Sequence, residues 1–343
     1  MRILAVDVGF GTQDILLYDD SDVAENSIKM VFPSMTQLLA REVLRSGSDL
    51  CFHGSTMGGG PLAHAIYEHI KKGYRVWMTP GSARSIRDDP EQVREMGVQI
   101  TEEHPPEECR GKRIMTMDVD FPFLRDVLHG IGERFSFDWV AVAVQDHGYA
   151  VEKSDREFRF EKFREALEKS GRLSSLAHLS PPPYYTRMSS VVDEVRKYHS
   201  GNILVVDTKI AAIAGALYDV EERPVIAIDV GNGHTTAAIV SEDMHVLGLF
   251  EHHTHMLTTR RLEDYLRRFA SGGLANEEVF NDRGHGCYIR EKPSEEPRLV
   301  LATGPRRSLL AGSSLRVVNA SPMGDVMMTG PAGMTAMIKE INK

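Results

Sequence analysis

Two short stretches carry the residue types from which phosphate chemistry is built. Residues 3–20 read ILAVDVGFGTQDILLYDD, and residues 225–243 read VIAIDVGNGHTTAAIVSED. Each sets a carboxylate, Asp7 or Asp229, ahead of two glycines separated by one residue, Gly9 and Gly11 or Gly231 and Gly233. A turn through Gly-x-Gly offers backbone N–H groups with no side-chain bulk over them, so phosphate oxygens can approach closely. A carboxylate repels phosphate, and its use beside such a turn is to hold a cation, most simply hydrated Mg²⁺, that offsets the anion. One such turn is a common hairpin. Two of them, 229 − 7 = 222 residues apart, predict a polyphosphate clamped from both sides, with Asp7 and Asp229 on the metal's water shell.

The elements needed to position these turns repeat in order. RILAVDV, QDILLYD and SIKMVF read as three strands, and SMTQLLAREVLRSG follows as a helix with Ser34 as N-cap and Gly47 as stop. After Pro224 the order restarts with VIAIDV, TTAAIV and HVLGLFE as strands and TTRRLEDYLRRFASGG as an amphipathic helix. Between the two units, WVAVAVQ and NILVVD read as buried strands and LSPPPYY as a loop. The polar, Pro-broken stretch SARSIRDDPEQVREMGVQITEEHPPEECRGKR reads as a surface excursion. The expectation is an α/β chain of two repeated domains. The first spans 1–222, with an inserted α/β excursion around 50–135, and the second spans 223–343.

Composition bounds the chemistry. The chain has 343 residues, enough for two cores, and 42% apolar with 26% charged residues is the balance of a globular protein. A net charge of −9 leaves no cation excess to neutralise a nucleic-acid backbone, so nucleic acid is not an expected partner. The opening MRILAVDVGF fits neither a signal peptide nor a membrane span, which gives a cytoplasmic expectation with no membrane partner. Cys51, Cys109 and Cys287 are odd in number and far apart, and are read as free thiols.

With both turns in view, the sequence resembles the actin/Hsp70/sugar-kinase superfamily of ATPases, whose domains are ribonuclease H-like and enclose a nucleotide cleft. The resemblance matches DVGFGTQD to the first phosphate motif and DVGNGHTT to the second. It carries Gly9, Gly11, Thr12, Gly231, Asn232, Gly233, His234 and Thr235 to the nucleotide site. DTKIAAIAGAL (207–217) is similar to the first connecting helix, with Asp207 in the acidic place that orients the attacking oxygen. VLATGPRRSLL (300–310) resembles the adenosine motif, giving Gly304, Arg306 and Ser308, and GDVMMTGPAGMTAMI (324–338) resembles the second connecting helix. Two departures stand out. Asn232 replaces a glycine, at a position where Asn tolerates left-handed angles. Asp14 follows the first turn and would repel phosphate or share its cation.

Other stretches keep two readings each. In STMGGGPLAHAI the glycines precede a helix, as an anion site or as a tight crossing. VAVAVQDHGYA resembles the strand end that contacts substrate in carbohydrate kinases, where Asp146 or His147 positions or deprotonates an acceptor; the alternative is a hydrogen-bonded loop. His253 with His255, and His285 with Cys287, are two i, i+2 pairs that would suit zinc if they met, and otherwise are solvated or substrate-contacting. EKSDREFRFEKFREALEKSGR reads as a solvated helix face.

The resemblance implies Mg-ATP as cofactor, and phosphoryl transfer to a small-molecule acceptor or ATP hydrolysis. The alternatives are an ATPase that activates a protein partner or works as a homodimer, and a nucleotide-binding regulatory module without turnover. The sequence is also similar to a family of prokaryotic proteins labelled pyruvate formate-lyase activating enzymes. Radical activation of that kind uses a C-x-x-x-C-x-x-C cluster motif, which this chain lacks.

Overall fold

The computed structural model describes residues 1–102, 109–150 and 154–343. Strands β1 (Arg2–Val8), β2 (Thr12–Asp19) and β3 (Ile28–Pro33) form an antiparallel meander. The short strands β4 (Leu50–Gly54), β5 (Val76–Met78), β6 (Gln99–Ile100) and β7 (Lys112–Thr116) build a separate parallel sheet in the order β6-β5-β4-β7. The chain then returns through β8 (Trp139–Val144), β9 (Ala177–His178) and β10 (Asn202–Val206), completing a first large sheet in the order β3-β2-β1-β8-β10-β9. In the second half, β11 (Val225–Val230), β12 (His234–Val240), β13 (Val246–His253), β14 (Gly286–Ile289), β15 (Leu299–Thr303) and β16 (Arg316–Asn319) form the sheet β14-β13-β12-β11-β15-β16. Setting aside one antiparallel edge strand in each, both sheets have the order 3-2-1-4-5, antiparallel across the first three strands and parallel beyond them. This is the ribonuclease H-like topology, present twice.

Strand alternation sets which residues the two lobes share. In β1, Ile3 and Ala5 point to a central core, while Leu4, Val6 and Val8 point to an outer one. In β11, Val225 and Ala227 join the same central core, and Ile226, Ile228 and Val230 face outward on the second lobe. Because side chains alternate with period two, Asp7 and Asp229 continue the inward rows. Both carboxylates therefore lie on the sides of the sheets that face each other.

Between the sheets run two hinge helices, Thr208–Ala216 and Thr329–Ile341, which cross on small residues. A Cβ added at Gly215 would sit 1.7 Å from the Thr329 carbonyl oxygen, and one at Gly333 would sit 2.0 Å from that of Ala211. The Ala and Gly run in TKIAAIAGAL is thus a contact surface for a second helix, and close approach is what its residues supply.

Four sequence-based expectations change. The helix Met35–Arg45 packs into the core of the inserted sheet through Leu39, Ala40 and Val43, so it does not complete the first meander. The polar stretch from residue 82 holds the helix Pro90–Glu95 and β6, and Ala83, Ile86, Val93 and Val98 are buried in that same core; its residues 103–108 lie outside the described ones. Cys51 and Cys109 are not separate thiols but a disulfide, with Cα atoms 6.3 Å apart, and Cys287 is free and buried. The helix Asp155–Ser170 is not a solvated face: Phe158, Arg159, Phe160, Phe163 and Leu167 are buried along it, while residues 152 and 153 of the quoted stretch lie outside the described ones. No helix among the described residues is long and apolar enough to cross a membrane.

The hinge crossing is open to direct test. Gly215→Ala forces a methyl group into the Thr329 carbonyl and is expected to cost about 1–3 kcal/mol, or more if the helices cannot part. Gly130→Ala, at a helix end with open space around it, is the control. Thermal melts should show a clear fall for the first and none for the second; equal melts would mean that the helices are not in tight contact.

Candidate functional site

A cleft of about 750 Å³ is lined by both glycine turns, with Asp7, Gly9, Gly11 and Thr12 on one side and Asp229, Gly231, Asn232, Gly233 and His234 on the other. Each turn closes in the same way. The Gly9 N–H donates to the Thr12 carbonyl at 2.8 Å, and the Gly231 N–H donates to the His234 carbonyl at 3.0 Å. Pairing runs Asp7 to Asp14 in one lobe and Asp229 to Thr236 in the other. His234, not Thr235, is therefore the counterpart of Thr12. Thr235 is fully buried and shares a 3.0 Å hydrogen bond with Thr254, outside the cleft lining.

The start of the first hinge helix sends three consecutive side chains to three places. Thr208 Oγ1 donates to Asp7 Oδ1 at 2.6 Å, and Lys209 Nζ donates to Asp229 Oδ2 at 2.6 Å. Asp207 caps the helix by accepting from the Lys209 N–H, and it is held in bidentate fashion by Arg159 at 2.7 and 3.0 Å. Arg159 is fully buried and also grips Glu251, which its charge holds well below the usual carboxylate range against the cost of burial. Two expected roles change as a result. Asp229 is neutralised by the Lys209 ammonium, where a metal was expected. Asp207 has both oxygens engaged and does not line the cleft, so it is not placed to orient an attacking group.

The first turn is different, because no cation among the described residues forms an ion pair with its carboxylates. Asp7 and Asp14 face the cleft as cross-strand partners, and Asp14 Oδ1 is buried without a hydrogen-bond partner. Burial, and then the neighbouring Asp14 charge, push Asp7 up to about 8; burial pushes Asp14 up to about 7. The second hinge helix closes over this pair: a Cβ at Gly330 would lie 1.9 Å from Asp7 Oδ2.

At the turn after β15, Gly304 has φ +91° and packs so tightly that a Cβ would meet Asp229 Oδ1 at 2.3 Å. Thr303, Gly304, Pro305 and Arg307 line the cleft, whereas Arg306 and Ser308 do not. The correction is a shift of one residue. The Arg306 N–H is used by the Val230 carbonyl at 2.9 Å, and Arg307 opens the short helical turn that follows. Opposite, Asp146 lines the cleft but both its oxygens accept backbone N–H groups, from Gly148 on one and from Arg187 and Met188 on the other. Burial, opposed by those N–H groups, pushes it up to about 6.

Residues 57–309 match the family described as "Putative pyruvate format-lyase activating enzyme (DUF1786)". The chain belongs to this family. Among curated proteins none matches the sequence. Among solved structures, the chain is similar to the activator of 2-hydroxyisocaproyl-CoA dehydratase from Clostridium difficile with bound ADPNP, at 7% identity, TM-score 0.38, and coverage of 100% of this chain and 96% of that one. It is also similar to the inorganic polyphosphate/ATP-glucomannokinase from an Arthrobacter strain, at 12% identity, TM-score 0.36, and coverage of 99% and 98%.

For this family member the cleft has a third wall that its sequence hid. Gly58, Gly59 and Gly60 and the segment Arg84–Asp89 of the inserted domain line it, with Gly58 packed against Arg187, which forms a bidentate pair with Asp118 at 2.7 Å. The glycine loop is a tight crossing, since a Cβ at Gly59 would lie 1.8 Å from the Ser85 carbonyl, and it also faces the cleft. Lys209, Thr208 and Arg159 escaped the sequence reading. The usable signal for Lys209 was a charge inside the Ala-rich DTKIAAIAGAL, where a cation must find a carboxylate partner. Of the four zinc candidates, His253 and His285 meet, with ring centroids 4.8 Å apart. His255 is exposed, and Cys287 sits in the outer apolar core, its thiol pushed up to about 12 by burial.

The acid pair fixes the sign of a pH effect. Folding holds Asp7 and Asp14 more protonated than in the unfolded chain, where Asp titrates near ~3.9. Their contribution to stability is therefore full at low pH and is lost as pH rises toward about 8. In buffer without divalent cations, Asp7→Asn should melt progressively higher than the natural protein as pH is raised from about 5 to about 8. A gap that closes or reverses over that range would show that Asp7 is already neutralised.

Proposed function

We propose that the cleft binds Mg-ATP between the two turns and that the protein transfers the terminal phosphoryl group to a small acceptor or to water. The observation that carries this is charge placement. Both turns open on one cleft, one beside an uncompensated acid pair and the other beside a buried ammonium. Asp7 and Asp14, with the orphaned Asp14 Oδ1, fit a divalent cation. Mg²⁺ held there would offset phosphate charge and link phosphate oxygens.

The remaining functions fall to the chain. Turn N–H groups on both sides orient the phosphates. Lys209 is held by Asp229 against the second turn, where a Cβ at Gly231 would lie 2.1 Å from its Nζ, so the ammonium is in place before a ligand arrives. Gly304 and Arg307 bound the nucleoside side, and the glycine loop with Arg84 and Arg187 bounds the acceptor side. Positioning and fixed charge do the chemistry, as is usual for phosphoryl transfer.

A second reading is a nucleotide-binding module without turnover, and one observation favours it: Asp207 is locked by Arg159 and unavailable as a base. The family description is not supported as a radical-activation role by the cysteines. Cys51 and Cys109 pair in the inserted domain and Cys287 lies in the second lobe, so they give no three-cysteine cluster ligand set.

Thermal melting with ATP, in Mg²⁺ or in EDTA, tests the binding. A ligand at a hundred times its Kd adds about 2.7 kcal/mol, and Asp7→Asn should abolish the Mg²⁺-dependent part. A shift that survives intact removes Asp7 from the site. Release of ADP with inorganic phosphate, of ADP with a phosphorylated acceptor, or of neither then selects hydrolysis, kinase activity or the silent module.

A further inference from the structure

Where the inner face of the second sheet reaches the cleft, it carries histidines. His234 and His253 are cross-strand partners at the ends of β12 and β13. His285 enters from the turn before β14 between Gly284 and Gly286, where added Cβ atoms would strike the His252 ring at 2.6 Å and the Asn276 amide oxygen at 2.7 Å. His147 arrives from the first lobe, just beyond β8. One ring nitrogen from each of His147, His234 and His285 lies within 4.8 Å of the others.

We propose that His147, His234 and His285 form a transition-metal site, taking Zn²⁺, with an open coordination position toward the cleft. The first support is the set itself. Three imidazoles from separate parts of the chain converge, and imidazole nitrogen is a ligand that zinc takes. The second is independent of it. His285 is 2% exposed, and its Nδ1 is buried with no hydrogen-bond partner. Its Nε2 lies 3.7 Å from Glu251 Oε1, the carboxylate fixed by Arg159. That separation is longer than a hydrogen bond, but a proton on Nε2, on the side of the Glu251 charge, leaves the Nδ1 lone pair free for a metal.

His234 Nδ1 lies 3.0 Å from the Gln145 amide nitrogen. Turned over, that amide accepts the Nδ1 proton and frees Nε2 for the metal. His252 shows the contrast: one nitrogen meets Asp282 and the other the His253 carbonyl, so it has nothing left to offer. A zinc ion with N–Zn distances of about 2.0–2.1 Å would draw the three nitrogens to roughly 3.3 Å apart, a side-chain adjustment. His147 and His234 line the cleft, so the fourth position faces its occupant and takes an anionic oxygen.

The site does not rest on the nucleotide reading, and its test separates the two. The full chain, stripped with EDTA and desalted, is titrated with ZnCl₂. The expected result is one zinc per chain, kept in excess Mg²⁺, kept by Asp7→Asn and His255→Ala, and lost by the double variant His147→Ala/His285→Ala. X-ray absorption at the zinc edge of the natural protein, which needs no variant to fold, should show three imidazole ligands. Cobalt loading should give a spectrum that inorganic phosphate alters. No stoichiometric zinc, retention by the double variant, or a thiolate or carboxylate shell overturns the site; a cobalt spectrum blind to phosphate overturns its open position.

Discussion

Three successive side chains at the start of one hinge helix fix the electrostatics of the whole cleft. Asp207 binds Arg159, Thr208 binds Asp7, and Lys209 binds Asp229. A helix N-terminus between two sheets can reach both lobes at once, and here it uses consecutive residues to do so. The two turns, although related by repeat, are thereby made unequal. One has its carboxylate satisfied by the chain, and the other is left acidic.

That inequality is what the site can use. Two carboxyls opposed across a strand pair resist full ionisation, and it is on this Asp7–Asp14 side that the proposed function seats its divalent cation. Lys209 supplies a positive charge on the other side, kept protonated by the Asp229 carboxylate against the cost of burial. In the function proposed above, a polyphosphate between them would meet one fixed cation and one recruited cation. The buried Arg159, shared by Asp207 and Glu251, extends the same network into the second lobe and ends beside the histidines. Removing one partner from such a network strands a charge away from water, at a cost of about 3–5 kcal/mol. The network is therefore a condition of the fold as much as of the site.

The inserted domain adds a third wall to the cleft between the two lobes. Its own parallel sheet and core let it present the glycine loop and the Arg84–Asp89 segment as a unit, with the Cys51–Cys109 bridge tying β4 to the chain ahead of β7. Arg187, from the first lobe, faces the same space while paired to Asp118.

The sequence alone determined the repeat. Alternation in ILAVDV and VIAIDV, a fixed 222-residue offset and two Gly-x-Gly turns were enough for two α/β halves, because strand period and turn chemistry are local properties. It also marked Asp7, Asp229 and Gly304, each of which lines the cleft, although the metal expected at Asp229 gave way to Lys209. What only the tertiary structure decided was which charges neutralise which. Lys209 and Arg159 look like ordinary helical cations in sequence, and Arg306 looks as good as Arg307. The convergence of His147, His234 and His285 joins residues up to 285 − 147 = 138 positions apart. Pair distances across lobes depend on how two helices cross at Gly215 and Gly333, and no local pattern encodes that crossing.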